Sequence, residues 1–90
     1  MTNDPRARSE ELAKAIIEAV GPGASGFAGS FLSAGEPEQA GIQALTEAIE
    51  HGIGVPLNLI RNALDLWGYS EMGALYDKFA AYLEAHPAAA

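Results

Sequence analysis

The chain has no cysteine among its 90 residues, so neither a disulfide framework nor a thiolate metal centre holds it together. No apolar run approaches the roughly 20 residues that a membrane-spanning helix needs. The opening residues lack the positive segment and apolar run of a secretory signal, so a cytoplasmic location is expected. No stretch alternates apolar and polar side chains for long enough to build a sheet. The most informative absence is of one sign of charge. Residues 15–60 contain neither lysine nor arginine, yet carry Glu18, Glu36, Glu38, Glu47 and Glu50. Before that stretch Asp4, Glu10 and Glu11 balance Arg6, Arg8 and Lys14, and the whole chain has a net charge of −7. This field repels phosphate backbones, which argues against a nucleic-acid partner, and it speeds encounter with a basic protein.

What the chain does have is helical periodicity. With 49% hydrophobic and 19% charged residues it is expected to fold as a single helical domain over 1–90. A chain this short buries only about 60% of its unfolded surface, so the core is thin. The spacing predicts an all-α fold, a compact bundle of four to five short helices. Helix 1 is expected over 5–20, with Asp4 as N-cap, Pro5 in the first position and Leu12, Ile16 and Val20 at spacing four. Helix 2 is expected over about 25–34, with Phe27 and Phe31 one turn apart and Gly35 in the left-handed position that closes it. Helix 3 starts at Pro37, and its dipole stabilises Glu36 and Glu38 by about 0.3–1 kcal/mol each when exposed. Ile42, Leu45 and Ile49 form its apolar stripe.

Helix 4 is expected from Pro56 to Gly68, with Leu57, Ile60, Leu64 and Trp67 on one face and Asn58, Arg61, Asn62 and Asp65 on the other. Gly52-Ile53-Gly54-Val55 joins helices 3 and 4 as an antiparallel hairpin. Ser70 is expected to cap helix 5, which carries Met72, Leu75, Tyr76, Phe79 and Leu83 and stops at Pro87, leaving the terminal alanines to fray. Phe27, Phe31, Trp67 and Phe79 are expected in the core, and Tyr69, Tyr76 and Tyr82 at its edge.

Chemistry is thinly represented. Gly21, Gly23 and Gly26 spell G-x-G-x-x-G, but the residues before them read as helix rather than strand, so they mark a reversal between helices and not a dinucleotide site. Glu47 and His51 stand one turn apart on helix 3; two ligands are too few for a specific metal site. His51 and His86 lie at helix ends, where a positive imidazole suits the dipole. No serine follows an aspartate, as the phosphopantetheine site of an acyl carrier protein would require. No enzymatic activity, metal or cofactor is therefore expected.

One pattern points to a role. Phe31-Leu32, Gly35-Glu36, Ala40, Leu45, Ile49 and Val55-Pro56-Leu57 together resemble the MafI-type family of small immunity proteins, over roughly residues 27–68. The resemblance implies a protein that binds and neutralises a cognate bacterial toxin, and such toxins are often nucleases with basic clefts. The residues expected to meet that partner are Glu36, Glu38, Gln43, Glu47 and Glu50 on helix 3. Next to them stand Asn58, Arg61, Asn62 and Asp65 on helix 4. The alternative is a small regulatory or scaffolding adaptor that self-associates through Trp67 or helix 5.

Overall fold

The computed structural model describes residues 4–86, and among them it contains helices and no strand. The elements are α1 (Pro5–Val20), α2 (Ala28–Ser33), α3 (Pro37–Glu50), α4 (Leu57–Met72) and α5 (Leu75–Ala85), with one turn of 3-10 helix at Pro22–Ala24. The all-α expectation holds, and so do both boundaries of helix 1. Asp4 accepts a hydrogen bond from the Arg6 amide at 3.0 Å, and Pro5 occupies the first turn, where no amide is needed. Pro87 and the alanines after it lie outside the described residues.

Helix 2 is shorter than its apolar spacing suggested. Gly26 takes φ +62, which a right-handed helix cannot contain, so the chain makes a 3-10 turn first and α2 begins only at Ala28. The Ser25 hydroxyl donates to the Gly21 carbonyl at 2.7 Å and closes this reversal.

Helix 4 breaks where expected, at Gly68. At Gly68 the backbone swings to φ 60, ψ −164, but one more helical turn follows before Gly73, at φ 55, ends it. Ser70 is not the cap of α5. Its hydroxyl donates back to the Trp67 carbonyl at 3.1 Å, and α5 starts after Ala74 without a side-chain cap.

The organising element is α3. It packs most extensively against α1, then α2, and more thinly against α4. Its fully buried positions are alanines as much as large side chains: Ala40, Ala44 and Ala48 recur at spacing four beside Leu45. Small side chains let the α1 and α3 backbones approach closely, and Ala13 and Ile16 of α1 are fully buried in the same cluster. Ile60, Ala63, Leu64 and Trp67 bring α4 into the same cluster. Gly41, early in α3, lies against the indole of Trp67, late in α4, as an antiparallel pairing of those helices requires. The fifth helix packs chiefly on α4 and buries Phe79 completely.

Candidate functional site

Because α3 is central, little of it is open to solvent. Glu36 and Glu50, near its two ends, are exposed, whereas Glu38, Gln43 and Glu47 are half-buried. The Gln43 amide donates to Glu47 Oε2 at 3.1 Å, and the other oxygen of Glu47 lies 3.4 Å from His51 Nε2. The loop before α2 covers this pair: a Cβ added at Gly26 would stand 2.9 Å from Gln43 Nε2 and 3.2 Å from Glu47 Cγ. The sequence reading of a free acidic face on helix 3 is corrected to two exposed ends with a partly covered middle. The ends differ in surroundings. At the start, Arg6 donates to the Gly35 carbonyl at 3.1 Å, which brings a cation close to Glu36. At the finish, the His51 imidazole lies beside Glu47, and Glu50 is exposed.

Phe27 stands next to the covered middle. It was expected in the core, yet it is 73% exposed. Its carbonyl accepts the Phe31 amide at 3.1 Å, so the one-turn spacing holds, but Phe27 is the N-cap of α2 and only Phe31 packs against the core.

A second surface lies between α1 and α4. Asn58, Arg61, Asn62 and Asp65 are all exposed, as the helix 4 pattern predicted. Asn62 and Asp65 form one wall of a groove of about 520 Å³; Arg8 and Glu11 form the other, over a floor of Leu12 and Leu66. Among the described residues, none of these four polar side chains makes an ion pair or side-chain hydrogen bond. Arg8 and Glu11 were not singled out in the sequence. Periodicity gives the face of a helix but not which helix it will lie beside. The structure thus does not bring the two sets of expected site residues into one patch: Gln43 and Glu47 adjoin the loop before α2, whereas Asn62 and Asp65 face α1.

The remaining polar groups fit structural roles. Gly21, at φ 100, and Gly26 make the reversal assigned to the G-x-G-x-x-G stretch. His86 stacks on Tyr82 with ring centroids 4.1 Å apart and has Nδ1 2.9 Å from the Tyr82 carbonyl. Tyr69, more than half exposed, stacks on Tyr76 and donates its hydroxyl to Asp77. That hydrogen bond to a carboxylate raises the Tyr69 pKa above its ordinary value of 10.0, and the Asp77 charge adds to the effect. Among the described residues, no three His, Asp or Glu side chains converge on a possible metal position. Among the described residues, no helix is long and apolar enough to cross a membrane. No family model matches the chain, no curated protein matches it in sequence, and no solved structure matches it.

Proposed function

We propose that this chain is an immunity-type protein that neutralises a basic bacterial toxin domain by stoichiometric binding. The observation that carries the reading is the exposed Phe27 beside Gly26, which rests on Gln43 and Glu47 in the part of the chain without lysine or arginine. An aromatic side chain presented to solvent next to acid has the composition of a binding anchor for a positively charged surface. Glu50 makes no ion pair among the described residues, so its field acts outward. Opposite charge steers the encounter, and desolvation of an apolar anchor holds the complex. The resemblance of residues 27–68 to MafI-type proteins supplies the toxin as the class of partner. The adaptor alternative loses one of its two routes: Trp67 is only 3% exposed and bonded to Ser9, so it presents no surface for self-association.

The test is co-expression with the C-terminal domain of the protein encoded immediately upstream. A one-to-one complex and restored growth are expected. Absence of both a complex and protection overturns the reading.

A further inference from the structure

We propose that Tyr69 and Tyr76 form an oxidative cross-linking site, at which a one-electron oxidant of the peroxidase class joins the two rings and ties α5 to the last turn of α4. The rings stack with centroids 4.1 Å apart and 23° from parallel. Tyr69 is 57% exposed, so an oxidant in solution reaches it without opening the fold. Its hydroxyl donates to Asp77 Oδ1, which places a proton acceptor at the reacting oxygen. That bond keeps the phenol protonated beyond its ordinary pKa of 10.0, so at neutral pH the proton leaves together with the electron.

The rest of the chain leaves this pair as the entry point for oxidation. The sequence has no cysteine, the usual sink for oxidising equivalents. Among the described residues, Met72 and Trp67 are covered, at 5% and 3% exposure. Tyr82 is the internal comparison. It also stacks, but on His86 rather than on a second phenol, and among the described residues its hydroxyl donates to no carboxylate.

Each phenol gives one electron to the oxidant and loses its O–H proton, Tyr69 through Asp77 and Tyr76 to water. The two phenoxyl radicals pair in a carbon–carbon bond between the ring positions ortho to the hydroxyls. The two ring C–H bonds at that junction then break, and through water their protons restore the hydroxyls. The net loss is two electrons and two protons. Hydrogen peroxide, the terminal acceptor, takes both pairs and becomes two waters. Gly73 stands between the two tyrosines at φ 55 with nothing within 4 Å of an added Cβ, so the turn yields to the tilt that brings the ring edges together.

The test treats the full chain, at low micromolar concentration, with a haem peroxidase and hydrogen peroxide. A product at the monomer mass of 9.4 kDa, lighter by two hydrogens and with dityrosine fluorescence, is expected. Cleavage after Glu71, between the two tyrosines, should leave the fragments joined. Tyr76→Phe should abolish this product, and Tyr82→Phe should not. Asp77→Asn should slow its formation by roughly tenfold. Phenylalanine keeps each ring in its stack and Asp77 is exposed, so circular dichroism should show native helix content in every variant. Photo-excited tris(bipyridyl)ruthenium with persulfate, a small one-electron oxidant, repeats the measurement without a bulky protein reagent. The proposal is overturned if neither oxidant couples the rings, if dityrosine forms only between separate molecules, if the link falls on Tyr82, or if Asp77→Asn couples as fast as the unaltered chain.

Discussion

Gly41 lies directly against the Trp67 ring: a Cβ at position 41 would collide with Cη2 and come within 2.6 Å of Cζ3. Glycine inside a helix costs about 0.5–1 kcal/mol relative to alanine, and here that cost gives the indole its place. The ring has little room to retreat, because its nitrogen is bonded to Ser9 on α1. Gly41→Ala should therefore destabilise the fold by about 1–3 kcal/mol despite its better helix propensity. Gly29, in α2, has nothing within 4 Å of an added Cβ and has no positive φ. Gly29→Ala should stabilise by about 0.5–1 kcal/mol. Urea unfolding of the two variants gives opposite signs if the packing at Trp67 is as described.

Ser9 is one of two buried polar residues among the described residues, and its hydroxyl receives the indole N–H. Ser9→Ala strands that donor and should cost about 1–3 kcal/mol. Combining it with Trp67→Phe, which removes the donor, should cost less than the sum of the two single losses. Strict additivity in the unfolding cycle would mean that the bond contributes no coupling.

Under the proposed function, Phe27→Ser should cost the complex about 2 kcal/mol or more, expressed as faster dissociation. Glu50→Lys should instead slow association, with an effect that shrinks as salt is raised. Both are exposed positions, so neither should lower the stability of the free protein by more than about 0.5 kcal/mol. Surface-binding kinetics with the upstream-encoded domain separate the two effects.

The Tyr69 phenol provides a pH test. Hydrogen bonding to Asp77 favours the neutral phenol, so phenolate absorbance should show one tyrosine ionising above the ordinary value of 10.0. Because the folded-state pKa is raised, the stability this contact contributes is complete below pH 10.0 and is lost as pH rises through the folded-state value. Asp77→Asn should bring that ionisation back towards the ordinary value.

Much of the architecture was legible in the residues. Asp4-Pro5 marks the start of α1, Pro37 that of α3, and Gly35 and Gly52 sit at φ 80 and φ 66 where helices close. These are local signals, decided by one residue's stereochemistry. The errors arose where tertiary packing decides. The expected stripe of Ile42, Leu45 and Ile49 did not include Ala40, Ala44 and Ala48, which are the fully buried seam of α3, because a central helix needs small side chains on the sides where neighbours approach. Phe27 read as core because it stands one turn before Phe31, but it caps α2 from outside and its ring is left in solvent. The α1–α4 groove was half visible, through Asn62 and Asp65. Its other wall depends on the Ser9–Trp67 bond, which spans 58 residues and leaves no periodic trace.

The paired glycines Gly68 and Gly73 have a consequence for how the molecule comes apart. They bracket a single turn, and beyond them α5 rests chiefly on α4. The domain is thus two-tiered, with a four-helix body keyed by one indole and an appendage anchored on one side by Phe79. Sub-global opening should begin by peeling away that appendage, while the backbone amides of α3, enclosed by three neighbours, stay protected until the whole body unfolds.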